Sequence, residues 1–304
     1  FIIMLIIAPI VMYKLCENVK KKRRINKKEE TELLNTAKLT WKFFKENMVN
    51  YLPIDNFQED RKEKKAYHTS PTNIGFLLMA AISSYDLKFE NREDTINLIK
   101  NIISSVEKLE KWNGHLYNWY DVKTMKPIIP LDVSSVDSGN FVGYLITTKE
   151  FLIEQNVDKN LINEINNLIL KTDFSKLYDK DMGLFSIGFS VSQNKLYDSY
   201  YDLLASEARQ ASIIAIAKKD VPSKHWKNLG RTLTKIDDYK GLVSWGGTAF
   251  EYLMPNINIR SYDLSLLDES CKLLILSQQK YSKRLNIPWG MSEASFGQKD
   301  FKGN

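Results

Sequence analysis

The sequence has few residues of the types that hold metal ions, disulfides or nucleotides. Its 304 residues include two cysteines, Cys16 and Cys271, and three scattered histidines, His68, His115 and His225. No zinc motif or disulfide framework can be assembled from them, which favours a reducing compartment. The chain also contains no glycine-rich phosphate loop. We therefore predict a protein without a bound metal ion or other cofactor.

Positive charge is concentrated in one short segment. The formal net charge is +6, and residues 20–28 alone carry seven Lys or Arg and no acid. The remainder of the chain is close to neutral. This local basic balance gives little support to nucleic-acid binding, so no nucleic-acid partner is predicted.

The hydrophobic run at the start, residues 1–15, is shorter than a membrane-spanning helix. It reads FIIMLIIAPIVMYKL, whereas a spanning helix needs roughly 20 apolar residues. No initiator Met or basic region precedes it, so a signal peptide fits poorly. We interpret it as the C-terminal part of a transmembrane helix, followed by a basic juxtamembrane segment and linker, residues 16–38. The KKKRR cluster then places the rest on the cytoplasmic side. A buried core element is the alternative.

Apolar residues recur at helical spacing along most of the chain, and strands are few and short. The sequence therefore predicts a mainly α fold with short β-hairpins in the loops. At one helix start, Ser70 is a suitable N-cap and Pro71 a suitable first helical residue. We predict a hairpin over residues 184–193 and interpret residues 231–240 as linker-like. The predicted helices span residues 29–50, 72–85, 92–111, 141–154, 160–171, 203–218 and 262–285.

One stretch, residues 197–226, begins with tyrosines and acids and continues into the helix predicted over residues 203–218. In that helix Glu207 shares a face with apolar residues at i−3, i+4 and i+7. Burial disfavours the charged form of a carboxyl, so we expect a raised pKa for Glu207 and an acid that works near neutral pH. The alternative is a carboxylate stabilised by the dipole at a helix N-terminus.

Eight short motifs occur in an order that resembles one known family. They are NFQED (residues 56–60), HTSPTNIG (68–75), GHLYNWYD (114–121), VSSVDSGN (133–140), YDLLASEARQ (201–210), DVPSKHW (220–226), GGTAFEYLMP (246–255) and PWGMSE (288–293). Together they resemble the glycoamylase-like domain in the middle of cyclic β-1,2-glucan synthases. In that family a membrane-embedded glycosyltransferase domain precedes this domain and a phosphorylase-like domain follows it.

The resemblance implies an incomplete (α/α)6 toroid, a helical barrel with a cleft at one end, for residues 39–304. It implies a domain on the cytoplasmic side of the bacterial inner membrane that acts on linear β-1,2-glucan. The implied reaction is intramolecular transglycosylation, which cleaves an internal linkage and joins the released end to the chain's own non-reducing terminus. The family domain continues past the last motif, so we expect this chain to be truncated at its C-terminus.

The resemblance also implies Glu207 and Glu293 as the two catalytic carboxylates, one as acid/base and the other as nucleophile or base. The expected substrate-binding residues lie in or beside the motifs and offer stacking rings and polar groups for sugar hydroxyls. They are Trp119, Tyr120, Asp132, Asp137, Asn140, Tyr200, Tyr201, Arg209, Trp245, Glu251 and Trp289. Asp55 and Glu59 are further acids in motif loops.

Each of these residues also has a structural interpretation. Tryptophan and tyrosine rings are often buried in the core, and acids in loops often cap helices or form ion pairs. Three functions are therefore open at this point. They are a transglycosylating domain, a hydrolase of the same glucan, and a non-catalytic segment that holds glucan for a neighbouring domain.

Overall fold

A computed structural model of the chain describes residues 2–17, 25–59 and 61–292. The described chain forms ten α-helices joined by loops with short strands. The helices are α1 (Ile2–Glu17), α2 (Lys27–Glu46), α3 (Pro71–Asp86), α4 (Arg92–Lys108), α5 (Ser135–Glu154), α6 (Lys159–Lys171), α7 (Arg209–Ala217), α8 (Lys224–Asn228), α9 (Ala249–Leu253) and α10 (Leu266–Leu285). The predicted mainly α class is confirmed.

Fourteen short strands pair in antiparallel fashion within the loops of the described chain. They are β1 (Met48–Val49), β2 (Leu52–Pro53), β3 (His68–Thr69), β4 (Lys111–Trp112), β5 (His115–Leu116), β6 (Tyr120–Asp121), β7 (Asp132–Ser134), β8 (Tyr178–Asp179), β9 (Leu184–Ser186), β10 (Gly188–Ser190), β11 (Lys195–Leu196), β12 (Tyr200–Tyr201), β13 (Leu233–Ile236) and β14 (Tyr239–Leu242). The sheets have the orders β1-β2, β3-β6, β4-β5, β11-β10-β7, β12-β9-β8 and β13-β14.

The chain divides into two compact units, residues 1–40 and 41–304. In the first unit, α1 is almost wholly apolar and has Pro9 in its interior. None of the helices in the described ranges combines the length and the apolar character needed to cross a membrane.

Three helices of the second unit lie side by side and run in the same direction. At one end Thr72 of α3 contacts Asp137 of α5, and at the other end the rings of Tyr85 and Phe151 are 5.7 Å apart. Helices α5 and α7 are parallel too, because Gly139 lies against Ala211 and the next turn of α5 lies against the next turn of α7. Helices α3 and α5 are buried on most sides, as expected for core helices.

Helices α4 and α6 cover this layer from outside. Helix α4 packs against α3, and α6 packs against α5. Each buries one apolar stripe and exposes the opposite face, which is the pattern expected of a surface helix. The buried stripes are Ile99, Ile102, Ile103 and Val106 in α4, and Leu161, Ile165, Leu168 and Ile169 in α6.

A glycine permits the closest contact between the parallel helices. A Cβ atom placed on Gly139 of α5 would lie 2.3 Å from the Cβ of Ala211 in α7. Side chains cannot approach this closely, so the separation of α5 and α7 depends on the missing Cβ. The glycine thereby brings the N-terminal ends of the two helices together.

Several predicted boundaries match, and others shift. Ser70 caps α3 and Pro71 begins it, as predicted. Helix α5 begins at Ser135, six residues before the predicted start, because Ser134 is the residue that caps it. Helix α7 begins at Arg209 rather than near residue 203, since Leu203 pairs with Gly230 in an isolated β-bridge. The segment interpreted as a linker contains the β13–β14 hairpin.

Candidate active site

The N-terminal ends of α3 and α5 meet at one polar end of the helical layer. The hydroxyl of Ser70 accepts a hydrogen bond from the backbone N–H of Asn73 at 3.2 Å. Similarly, the hydroxyl of Ser134 accepts from the N–H of Asp137 at 3.1 Å. Parallel helices place their partial positive charges at the same end, which favours acidic and hydroxyl groups there.

A chain of polar side chains connects α3, α5 and α7 at this end. The hydroxyl of Thr72 donates to Oδ1 of Asp137 at 2.6 Å and accepts from Nδ2 of Asn140 at 3.1 Å. The amide of Gln210 in turn reaches Oδ1 of Asn140 at 3.4 Å. Oε1 of Gln210 is buried and has no hydrogen-bond partner among the described residues. Sequence reasoning selected Asp137 and Asn140 but missed Thr72 and Gln210, although both lie in the quoted motifs.

A second polar cluster surrounds Asp55 beside the start of α3. Its carboxylate accepts from the side-chain amides of Asn56 and Asn73, each at 2.8 Å, and lies 3.6 Å from Nε2 of His68. Burial acts to raise the pKa of Asp55, but the contacts with His68, Asn73 and Asn56 outweigh it and lower the pKa. The His68 ring stands edge-on to Trp119 at 4.8 Å. Sequence reasoning also missed Asn73 and His68, which the HTSPTNIG motif contains.

Glu207 lies in the turn immediately before α7, not within a helix as predicted. The helical-face argument for its burial was therefore wrong, yet the side chain is 9% exposed. The hydroxyl of Ser206 lies 3.3 Å from Oε2 of Glu207, and the backbone carbonyl of Glu207 accepts from the N–H of Gln210 at 3.1 Å. The carboxyl is thus buried at the start of α7, beside the polar chain. Its raised pKa stays a prediction.

Arg209 is buried behind this turn. Its guanidinium donates to the carbonyl oxygens of Ser206 and Glu251, both at 3.0 Å, and to that of Tyr252 at 2.6 Å. Burial lowers the pKa of Arg209 to about 10, so its side chain is still a cation at neutral pH. All of these hydrogen bonds are made to the protein backbone, whereas the sequence suggested a substrate contact.

Glu251 fixes the loop that precedes α9. Its carboxylate accepts from the backbone N–H groups of Gly246, at 3.0 and 3.2 Å, and of Thr248, at 2.9 Å. The hydroxyl of Ser244 donates to it at 2.9 Å, and Thr248 completes a capping box with it. Glu251 is buried, so these contacts account for its carboxylate as a loop anchor. This corresponds to the cap role weighed in the sequence.

The predicted stacking rings fall into exposed and buried groups. Trp245 is 47% exposed, lies 5.1 Å from the ring of Tyr201 and donates from Nε1 to Asp202 at 3.1 Å. Trp289 is 54% exposed. Tyr120, by contrast, is fully buried, and its hydroxyl donates to the carbonyl of Glu110 at 2.5 Å. The ring of Tyr120 belongs to the core and cannot stack on a sugar, which corrects that expectation.

Two other predicted residues lie in the strand-rich loops. The hydroxyl of Tyr200 donates to Asp179 at 2.8 Å. One carboxylate oxygen of Asp132 is buried and has no hydrogen-bond partner in the described part of the chain. The carboxylate of Asp132 also lies close enough to Tyr197 to add to the effect of burial, and both raise the pKa of that phenol.

Glu293, the second predicted catalytic carboxylate, lies outside the described residues. Across residues 2–17, 25–59 and 61–292, no group of three or more His, Cys, Asp or Glu side chains could hold a metal ion. The described polar end therefore offers Glu207, Asp137 and Asp55 as its acids, with amides and hydroxyls between them.

The fold is that of solved glucan-degrading enzymes. The endo-β-1,2-glucanase from Chitinophaga pinensis, solved with sophorotriose and glucose, matches with a TM-score of 0.72 and 15% identity, over 90% of this chain and 72% of that one. The endo-β-1,2-glucanase from Talaromyces funiculosus, solved with sophorose, matches with a TM-score of 0.68 and 12% identity, over 87% and 64%. Identities this low establish the shared fold alone.

The predicted resemblance is confirmed by sequence comparison. The cyclic β-(1,2)-glucan synthase NdvB of Rhizobium meliloti (strain 1021) is 27% identical over an alignment 424 positions long that covers 96% of this chain. The chain spans 15% of the length of that relative. No family model matches the chain.

Proposed function

We propose that this chain is a carbohydrate-active domain that converts linear β-1,2-glucan into cyclic β-1,2-glucan by intramolecular transglycosylation. The observation that carries this proposal is the burial of Glu207 at the N-terminal end of α7, the end at which three parallel helices bring acids, amides and hydroxyls together. The similarity to a cyclic β-1,2-glucan synthase and the fold shared with two β-1,2-glucanases support the substrate class.

In the proposed mechanism, Glu207 is the general acid. Its proton goes to the glycosidic oxygen as the bond from that oxygen to the anomeric carbon breaks. Glu293 either attacks the anomeric carbon or acts as base for the attacking sugar hydroxyl. The hydroxyl at the non-reducing end then bonds to the anomeric carbon, and its proton returns to a carboxylate. The reducing-end part of the glucan leaves as a shorter linear chain that keeps the glycosidic oxygen and the proton from Glu207. The ring is therefore one water lighter than a linear chain with the same number of glucose units.

The separation of the two carboxyls would decide the stereochemical course. A retaining reaction needs about 5 to 5.5 Å between them, whereas a gap of about 6.5 to 9.5 Å leaves room for a water or hydroxyl. Transfer also requires a site that holds a sugar acceptor and excludes water. We propose Asp137 and Trp119 as sugar contacts near the bond that is cleaved. The resemblance implies Asn140 as a substrate contact too, but Asn140 is 0% exposed and its amide bonds to Thr72 and Gln210, so it belongs to the buried support of the site. Exposed Trp245 with its half-buried neighbour Tyr201, together with Trp289, would be stacking platforms further along the glucan.

Two alternatives have specific support. The two solved glucanases have the same fold, which favours an endo-β-1,2-glucanase that releases shorter linear chains. A non-catalytic segment that holds glucan within a larger synthase is consistent with the 15% of NdvB that this chain spans.

Product analysis separates these functions. Purified protein is incubated with linear β-1,2-glucan, and the products are weighed by mass spectrometry. Rings one water lighter than linear chains of the same number of glucose units support transglycosylation, shorter linear chains without rings support hydrolysis, and unchanged substrate supports a holding role. Glu207→Gln should reduce turnover by at least a hundredfold, while the control Glu164→Gln, at an exposed position on α6, should retain it. Parental turnover by Glu207→Gln would contradict the assignment of the acid.

We also propose the larger arrangement around this domain. Residues 39–304 would form an incomplete (α/α)6 toroid, for which the parallel layer α3, α5 and α7 with its outer helices is the support. Residues 1–15 would be the end of a transmembrane helix and residues 16–38 a basic juxtamembrane segment, with the domain on the cytoplasmic side of the inner membrane. A glycosyltransferase domain upstream and a phosphorylase-like domain downstream would belong to the same polypeptide. Membrane fractionation with and without residues 1–15 tests the anchor.

A further inference from the structure

Arg209 connects two segments that are far apart in sequence. Its Nη1 atom donates to the carbonyls of Ser206 and Glu251, and its Nη2 atom donates to the carbonyl of Tyr252. The first carbonyl belongs to the turn that carries Glu207, and the other two belong to α9. With 3% of its surface exposed, Arg209 is too deeply buried to contact a sugar directly.

After the bridge between Leu203 and Gly230, the turn that carries Glu207 is held mainly by hydrogen bonds between neighbouring residues. The carbonyl of Ser206 also accepts from the backbone N–H of Arg209 at 3.2 Å, and the Ser206 hydroxyl accepts from the N–H of Ala208 at 3.1 Å. These bonds are all local to the turn. Those from the guanidinium therefore tie the turn to a different element of the fold.

We propose that Arg209 is a positioning residue for Glu207: it ties the turn before α7 to α9 and so holds the carboxyl at the polar end of the helical layer. The inference rests on the proposed function, because it takes Glu207 as the acid. A planar guanidinium has five N–H donors in a rigid fork and can serve three carbonyls on two segments. A lysine ammonium has three donors at one point and cannot span the same set.

The charge of Arg209 has a second effect on Glu207. The two side chains attract each other, since one is a cation and the other becomes an anion when it ionises. The other titratable groups around the guanidinium are Tyr252 and Glu251 from α9 and Cys271 from α10. The cation favours the ionised form of Glu207, so its removal should raise the pH at which the acid loses its proton.

The test compares Arg209→Lys and Arg209→Met with the parent in glucan turnover as a function of pH. We expect Arg209→Lys to lower kcat at least tenfold with KM changed less than twofold, because charge is kept but the clamp is lost. Arg209→Met should lower kcat further and move the alkaline limb of the kcat profile upward by about 1 pH unit. The kcat of Arg209→Lys should therefore lie between that of Arg209→Met and that of the parent.

Arg231→Met is the matched control. The guanidinium of Arg231 also donates to three backbone carbonyls, those of Trp226, Lys227 and Leu229, but around the end of α8. Its replacement should leave kcat and the pH profile unchanged.

Every outcome of this comparison is decisive. If Arg209→Lys folds with parental kcat and pH profile, or if it fails to fold, Arg209 is a purely structural residue and the inference is overturned. Should only Arg209→Met fail to fold, the lysine variant decides. If Glu207→Gln retains parental turnover, the proposed acid is wrong; if it is inactive while both arginine variants match the parent, only this inference fails.

Discussion

The hydroxyl of Thr72 lies 2.6 Å from a carboxylate oxygen of Asp137 and couples the first turn of α3 to the first turn of α5. The same hydroxyl accepts from the amide of Asn140. One side chain therefore holds both the acid that we propose as a sugar contact and the buried amide of Asn140. This relationship leads to the first prediction.

Thr72→Val should destabilise the fold and reduce glucan turnover. Valine keeps the shape but leaves the amide of Asn140 without its acceptor and Asp137 without its short donor, at a cost of about 1 to 3 kcal/mol. Urea unfolding and turnover of β-1,2-glucan measure the two effects. Thr36→Val is the control, since Thr36 is exposed and its hydroxyl bonds to Glu32 within α2; we expect a change within about 0.5 kcal/mol. Equal stability of the two variants would contradict the prediction.

Gly139→Ala should force α5 and α7 apart. The new Cβ would lie 2.3 Å from the Cβ and 2.5 Å from the Cα of Ala211, so backbone has to move. Overpacking of this kind costs about 1 to 3 kcal/mol or more, despite the higher helix propensity of alanine. Thermal and urea unfolding report the loss. Asn163→Ala, at an exposed position on α6, should shift stability by no more than about 0.5 kcal/mol. A parental midpoint for Gly139→Ala would show that the helices can separate freely.

Acid should destabilise the fold through His115. Its Nε2 donates to the carbonyl of Asp173 at 2.9 Å, and its Nδ1 lies 2.8 Å from the hydroxyl of Ser138, which can donate to a neutral ring or accept from a protonated one. Burial lowers the pKa of His115 to about 4, against 6.5 for the free side chain. Below about pH 6.5 the unfolded chain therefore binds a proton at His115 that the folded chain does not bind. The free energy of unfolding falls as the pH drops from about 6.5 towards about 4.

The effect of His115 should reach about 2 kcal/mol between pH 7 and pH 5, as measured by urea unfolding. Burial also lowers the pKa of His225, which adds a dependence of the same sign. His115→Gln should reduce the slope and leave the part due to His225. An unchanged slope in that variant would mean that His115 takes up a proton equally in the folded and unfolded states.

Trp245→Ala should raise KM for β-1,2-glucan by roughly tenfold and change stability little. The ring is exposed, and stacking of a sugar on an aromatic face contributes on the order of 1 kcal/mol. Steady-state kinetics on glucans of several lengths measure it. Tyr120→Phe gives the opposite pattern, because it removes a buried hydrogen bond to Glu110 and should cost about 1 kcal/mol of stability with KM unchanged. A raised KM in Tyr120→Phe alone would reverse our assignment of the two rings.

A helix start that has a strong local signal was predicted correctly. Ser70 followed by Pro71 marks the start of α3 because an N-cap hydroxyl and a fixed proline φ both act within one turn. The start of α5 was placed six residues late, since the small polar residues before Phe141 were interpreted as a loop. They are polar because they face the ends of neighbouring helices, and that information is not local.

The candidate site was also predictable only in part, because contacts between residues distant in sequence position some of its groups. The spacing around Glu207 indicated burial, and the side chain is buried, but a turn and not a helix produces it. The pairing of Leu203 with Gly230 prevents an earlier helix start, and no sequence pattern within 20 residues of Leu203 predicts that contact. The β13–β14 hairpin did have a local turn signal, Asp237 followed by Asp238, and Asp237 has a positive φ in the structure. The strands on either side do not alternate between apolar and polar residues, so the turn alone did not indicate a hairpin.

The loop that carries Trp245 is held from beneath by Glu251, whose carboxylate serves the loop backbone and not the indole. The ring that we propose to stack on sugar and the carboxylate that fixes the loop consequently belong to two different residues. An engineer could exchange the residue at position 245 for phenylalanine, histidine or a smaller group, and retune affinity for chains of different length, without redesigning the surrounding architecture.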